Sequence, residues 1–459
     1  MRLLAALLLV LLPTVSPASI TFERRWHWFQ QAAGRSVELS GDGGYVVGAG
    51  TWISGSNYGA TLAWVDSLGD TTTVRHIAGL DYGAGCMSRV ADSGYVVAGT
   101  RDTHRVFAQK FDANGDSVWT YVSAHHGLVT TVFGTADGGC LVAGRIPDTL
   151  FDFGLVKLNA EGSEAWMRTY QENRLYSTIA RAVAATHDGG YIICGHGYDY
   201  GGSYPRLVRV DSSGETLWTR IYSGPVGASL QDVRENPDGG IMAVGSELDS
   251  TTGHTALYVM LTDSAGNVVR TVSLPVSGAG TLATTVAATH NGGYIVAGQL
   301  DRSTSARVWL VRIDFAGDTA WSREVEGPGR EGAADIMETE DGGFVIAGTS
   351  DSAGGSVLLI KTDSLGRLGI AERSQPLSER VAFSVAPNPT NGVVKVEWSL
   401  PTSSTAGLSL YDALGRQVFS SSGLRTSPFE IRTSSLPQGV YLLRLESDCG
   451  SATRKLVIK

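Results

Sequence analysis

Few residues of this chain combine the types and spacing that chemistry needs. His125 and His126 stand side by side and could contribute to a metal site, but neighbours on a strand point to opposite faces and no third ligand is identifiable, so surface histidines are the better reading. "DANGD", Asp112 to Asp116, has the start of a calcium loop but lacks the twelve-residue ligand ladder and its distal Glu. The sequence has no Gly-x-Ser-x-Gly elbow, no His-Glu-x-x-His, no paired Cys-x-x-Cys and no phosphate-binding Gly-Lys-Ser/Thr. Cys86, Cys140, Cys194 and Cys449 are scattered, and Cys140 and Cys194 stand in apolar runs where a thiol behaves as a small buried hydrophobe. The expectation is no catalytic residue, no metal and no cofactor.

Carboxylates are abundant but periodic. "GDGGYVVGAG", "ADSGYVVAGT", "ADGGCLVAGR", "HDGGYIICGH", "PDGGIMAVGS", "HNGGYIVAGQ" and "EDGGFVIAGT" place Asp42, Asp92, Asp137, Asp188, Asp238, Asn291 and Asp341 about fifty residues apart. A second phrase, Asp or Asn followed three residues later by Gly, runs in step at Asp66, Asp112, Asn159, Asp211, Asp263, Asp314 and Asp363. A residue present in every unit is explained by turn chemistry, its side chain capping its own backbone; a catalytic residue should break the repeat. Each unit therefore has two punctuated turns among four strand-sized segments, a to d, and b ("YIICG") is apolar without alternation, as in a strand covered on both faces.

Four antiparallel strands in each of seven units predict an all-β chain folded as a seven-bladed β-propeller, with a linear solenoid as runner-up. Unit seven ends without a d strand, whereas the segment "ITFERRWHWF" resembles a d strand with nothing before it, so the N-terminal segment should close the ring. Trp119, Trp166, Trp218 and Trp321 each follow the turn Gly by four residues. That Gly-x-x-x-Trp spacing resembles quinoprotein-type (PQQ-like) propellers and implies indoles packed between blades; sialidase Asp-boxes are a weaker likeness, having a shorter spacing. The cofactor-binding residues of quinoproteins are not identifiable here.

The a–b and c–d turns must share one face of the disc, which is uniform. The b–c and d–a connections share the other, where the units differ. That variable face offers Trp52, Tyr58, Tyr82, His125, Tyr198, Asp199, Tyr200 and Tyr204, aromatic platforms and polar groups suited to a glycan or peptide ligand.

The ends of the chain carry an address. One Arg, an apolar run from Leu3 to Leu12 and the small residues Ser16 and Ala18 predict a signal peptide over 1–18. No later run is long and apolar enough for a membrane helix. Net charge −9 and pI near 5.5 argue against a nucleic-acid partner. The propeller should occupy 19–370 and a polar linker 371–385. From 386 to 459 an alternation of Val394, Val396, Trp398 and Leu400 with polar residues predicts a small immunoglobulin-like β-sandwich.

This tail resembles the C-terminal sorting domain of the type IX secretion system (Por secretion tail) of Bacteroidetes-like bacteria. The resemblance rests on Pro387-Asn388-Pro389 with Gly392, Tyr411-Asp412 with Gly415-Arg416, Gly439 with Tyr441, and a terminal segment starting at Lys455. It implies the outer-membrane secretion machinery as partner and release into the medium or anchoring at the surface; the alternative is a FlgD-like decorating module. The expected function is that of an exported, monomeric, non-enzymatic binding or adhesion protein, the alternative a secreted propeller enzyme acting on polysaccharide.

Overall fold

The computed structural model describes residues 20–28, 31–54, 57–81, 85–146, 152–172, 177–224, 227–302, 304–351, 355–368, 383–398, 405–412, 416–425, 427–447 and 450–459, none of them helical. The chain divides into two units, Met1–Ala371 and Glu372–Lys459.

The first unit is a seven-bladed propeller of four-stranded antiparallel sheets. The inner (a) strands are Gln31–Leu39, Cys86–Arg89, Leu128–Gly134, Ser177–Ala185, Ser229–Glu235, Gly280–Ala288 and Glu331–Glu338, in blades 1 to 7. Each touches the inner strands of its two neighbours, and blade 7 touches blade 1. The second strands are buried over most of their length because both of their faces are covered, as in Tyr95–Arg101 and Cys140–Arg145. Phe22–Trp26 pairs antiparallel with the third strand of blade 7, Ser356–Thr362, from Phe22 opposite Lys361 to Trp26 opposite Val357. The start of the ring thus supplies the outermost strand of its last blade.

The d-strand indoles join the blades. Trp119, Trp166, Trp218 and Trp321 lie against the turn glycines Gly162, Gly214, Gly266 and Gly366 of the following blade. At Gly162 φ is +81° and a Cβ would stand 2.5 Å from the Trp119 ring, so glycine is required both by conformation and by packing. Trp119 and Trp218 donate their indole N–H to the carbonyls of Ala160 and Ser264, at 2.9 and 3.1 Å. In blade 7 Phe22 takes the indole's place, against Gly69 of blade 1. An arginine two positions after the aromatic lies over its ring in Trp166–Arg168, Trp218–Arg220, Trp321–Arg323 and Phe22–Arg24.

The second unit is a β-sandwich of a three-stranded sheet, Phe383–Ala386, Val393–Trp398 and Phe429–Arg432, and a four-stranded sheet, Gln417–Leu424, Ala406–Tyr411, Gly439–Ser447 and Gly450–Ile458. Val394, Val396 and Ile431 of one sheet share its core with Leu408, Leu410, Leu443, Leu445 and Leu456 of the other. Leu400 and Cys449 lie outside the described residues.

Candidate functional site

The repeated aspartates are occupied by structure. Asp188 accepts the Thr186 hydroxyl at 2.7 Å and the Gly190 N–H at 3.1 Å, and pairs with Arg209 at 3.0 Å. These contacts, the Thr186 hydroxyl foremost, hold its carboxyl down at about 2. Asp92, Asp137 and Asp341 likewise pair with the almost wholly buried ammonium groups of Lys110, Lys157 and Lys361 from the third strands. In the c–d turns Asp112 accepts the N–H groups of Asn114 and Asp116, both at 2.9 Å, so the "DANGD" segment is a side-chain-capped turn. Among the described residues no three His, Cys, Asp or Glu are grouped to hold a metal.

On the opposite face, blade 4 gathers half of the expected ligand contacts on one hairpin, Tyr191–Asp199 and Gly202–Val210, in unbroken register out to Asp199 opposite Gly202. Tyr200 is fully exposed at its tip and Tyr198 is 40% exposed. Tyr198 meets His196 edge-on at 5.3 Å. The Tyr204 hydroxyl lies over Gly201, and Asp199 accepts the Gly201 N–H at 2.6 Å as a turn cap. Trp52 and Tyr58 face each other across the blade 1 hairpin, both half-buried. His125 lies 3.3 Å from Glu164 of the next blade, on an outer strand of blade 2 whose pairing is irregular between Arg105 and Phe107. Tyr82 lies outside the described residues. The expected contacts are therefore spread over several blades, with Tyr198, Asp199, Tyr200 and Tyr204 together on one hairpin and Trp52 opposite Tyr58 on another.

The central channel forms a cavity of about 1170 Å³ lined by all seven inner strands. Each of these strands presents an unpaired backbone edge to its neighbour, and side chains satisfy it across the seams. Asp335 of blade 7 accepts the Val37 N–H of blade 1 at 2.9 Å, Glu38 of blade 1 the Arg89 N–H of blade 2 at 3.0 Å, and Ser88 of blade 2 the Gly134 N–H of blade 3 at 3.0 Å. Asp232 of blade 5 accepts the Val286 N–H of blade 6 at 2.9 Å and also the guanidinium of Arg234 at 2.6 Å. Burial raises the Glu38 carboxyl to about 7 and the Asp335 carboxyl to about 6, with repulsion between neighbouring acids adding to each.

Six inner strands carry a bulge at one level, at Arg35, Thr130, Arg181, Gln231, Thr284 and Ala334. The sequence reading missed this belt. Its signal is positional: the residue seven before each repeat Asp or Asn is Arg35, Gly85, Thr130, Arg181, Gln231, Thr284 and Ala334, a place where the units differ.

In the sandwich, the sorting elements meet. The Asn388 side chain donates to Lys455 O at 2.6 Å and accepts the Val457 N–H at 2.9 Å, so it pins the last strand as a backbone would. Thr390 extends this pairing to Val457 and Lys459, both at 2.8 Å. Asp412 accepts the Arg416 backbone N–H at 2.9 Å and its guanidinium at 2.8 Å, and Tyr441 is buried with its hydroxyl on Pro437 O at 2.7 Å. Pro387, Pro389 and Lys455 are exposed, Gly439 pairs with Ile458, and Gly415 lies outside the described residues.

Residues 384–459 match the secretion system C-terminal sorting domain, Por_Secre_tail. The C-terminal unit is thus a type IX sorting domain, and it directs the chain to the cell surface or medium. No curated protein matches the chain. The BP39L lectin from Burkholderia pseudomallei is similar in structure, with 12% identity and a TM-score of 0.54 over 74% of this chain and 98% of its own. A fungal alcohol oxidase of the AA5 family, solved with copper, has 10% identity and a TM-score of 0.50 over 96% and 99%. The β-propeller domain of the trilobed protease from Pyrococcus furiosus has 10% identity and a TM-score of 0.47 over 76% and 100%. At such identities the likeness is one of fold.

Proposed function

We propose that the propeller is an exported, non-enzymatic binding module that holds an extended glycan or peptide on the face carrying the b–c hairpins, with Tyr198, Tyr200 and Tyr204 as its main contact surface. The observation that carries this reading is the blade 4 hairpin. Two exposed tyrosines adjoin there: Tyr198 stands on a fully paired ladder, where a large aromatic face costs least to present because the backbone is already ordered, and Tyr200 on the turn that closes it. Trp52 and Tyr58, three blades round the ring, give an extended ligand a second aromatic contact. The sorting domain supports the setting, since a protein delivered outside the cell meets polysaccharide and peptide rather than nucleotide cofactors.

A second reading, glycoside hydrolysis, is favoured by Glu38, whose carboxyl titrates at about 7 within the channel, as a general acid's would. Against it, Glu38 and Asp335 are both engaged with backbone N–H groups of the neighbouring blade. Incubating the mature protein with a panel of oligosaccharides and peptides, scored for retention and for new reducing ends, separates the two. Retention without product is expected; product formation abolished by Glu38→Gln would replace this reading with the second.

A further inference from the structure

The channel holds two guanidinium groups that no carboxylate of the described chain neutralises. At the bulge level, Thr130 and Thr284 turn their hydroxyls to carbonyls of the next blade, Ala180 and Ala333, at 2.6 and 2.8 Å. Arg35 and Arg181 occupy the equivalent places in blades 1 and 4, and both line the cavity. Arg35 is exposed. Arg181 is half-buried, and its Nε is shut off from solvent without a hydrogen-bond partner. The groups acting on Arg181 are the Tyr198 hydroxyl and the Cys194 thiol, neither of them a carboxylate, and burial pulls its pKa down. His196, also beside it, is held neutral by burial and by Arg181 itself, its pKa down at about 4.

The acids of the channel do not compensate these charges. Asp232, Asp335, Glu38, Glu235 and Glu338 stand further along the inner strands, toward the uniform face, and each accepts a backbone N–H of a neighbouring inner strand or turn. At the other mouth, Arg330 is paired with Asp301 and Glu331 with Arg25. A half-buried guanidinium without a carboxylate, as at Arg181, is a cost that the fold carries unless an anion completes it, and the exposed Arg35 adds a second positive charge to the same cavity.

We infer that the channel, about 1170 Å³ in volume, is a binding site for a small carboxylate ligand of the uronate-sugar kind, with Arg181 as the principal anchor and Arg35 as the second cation. A guanidinium offers a carboxylate two parallel hydrogen bonds, and Gln231 at the same level supplies an amide for a sugar hydroxyl. The ligand enters from the face of the b–c hairpins, where Glu331 is neutralised by Arg25 and Asp351 accepts the Arg330 N–H, whereas five acids line the opposite end. This site goes beyond the surface reading and meets it only at Tyr198, whose hydroxyl acts on Arg181.

The test is titration calorimetry of the mature chain with galacturonate trisaccharide, with its methyl-esterified neutral form and with citrate. Saturable binding of the trisaccharide, about tenfold or more weaker for the ester and for Arg181→Gln, is the expected result. Citrate that binds as well keeps the carboxylate site but assigns it to small organic acids. Binding of neither carboxylate, or equal binding of acid and ester, overturns the proposal. Thermal unfolding without ligand gives an independent check: Arg181→Met should melt no lower than the parent, because an uncompensated charge is removed, and a lower melting temperature would make Arg181 a structural residue instead.

Discussion

The guanidinium of Arg25 lies 2.5 Å from the carboxylate of Glu331, 306 residues further along the chain, and Glu331 is 2% exposed. This contact ties the first strand of the molecule to the inner strand of its last blade, so the ring is held shut by side chains as well as by the Phe22–Trp26 ladder. Arg25→Ala leaves a buried carboxylate without its partner and should cost about 3 kcal/mol. Deleting residues 20–28 removes the whole strand and should lower the urea midpoint further, with a rise in aggregation from the bared edge. An unchanged midpoint for the deletion would show that closure lies elsewhere.

Gly162 and Gly189 have nearly the same positive φ, +81° and +82°, but a Cβ at Gly162 meets the Trp119 indole whereas one at Gly189 meets nothing within 4 Å. Gly189→Ala should therefore cost about 1 kcal/mol for conformation alone, and Gly162→Ala about 1–3 kcal/mol more for forcing the indole from the seam. Equal losses in chemical denaturation would mean that the indole does not depend on that turn.

The carboxyls of the structure pull the pH dependence in opposite directions. Glu38 rises from 4.5 to about 7, so the folded state binds the extra proton, and the stability this gives is full below about pH 4.5 and is lost as pH rises toward 7. Asp188 falls from 3.8 to about 2, so its contribution is present above 3.8 and is lost as pH falls toward 2. Melting temperatures measured from pH 4 to 8 should decline toward the alkaline end, and Glu38→Gln should flatten that decline. A variant with the parent's slope would remove Glu38 from the account.

Asn388 links the first sorting element to the last, and Asn388→Ala should loosen the terminal strand by about 1 kcal/mol for the lost hydrogen bonds. A chain ending before Phe383 should retain a folded propeller but stay in the periplasm. Cell fractionation checks both variants, and normal arrival of the truncated chain at the surface or in the medium would show that the sandwich is not the address.

What could be read from the sequence was local. The turn role of Asp188 and Asp211 follows from bonds made within a few residues, and the missing outer strand of blade 7 is visible because every other blade has one. Val394 and Val396 announce a buried face by alternation alone, and both are buried. What escaped lies between blades. Nothing near Lys361 says that it meets Asp341, nothing near Glu38 says that it caps Arg89, and the bulges that set Arg35 and Arg181 into the channel come from pairing with a second strand. His125 shows the same limit: its place in a variable connection is legible, but its partner Glu164 belongs to the next blade.

The most direct measurement of the central claim, that the b–c face is a binding surface, is the affinity of the mature protein for its best ligand from a glycan or peptide array before and after joint replacement of Tyr198, Tyr200 and Tyr204 by Ala. The account predicts binding about tenfold or more weaker with an unchanged melting temperature, because Tyr198 and Tyr200 are exposed and Tyr204 lies at the outer end of the hairpin. Unaltered affinity, or loss instead from substitutions on the uniform face around Asp188 and Asp211, would contradict it.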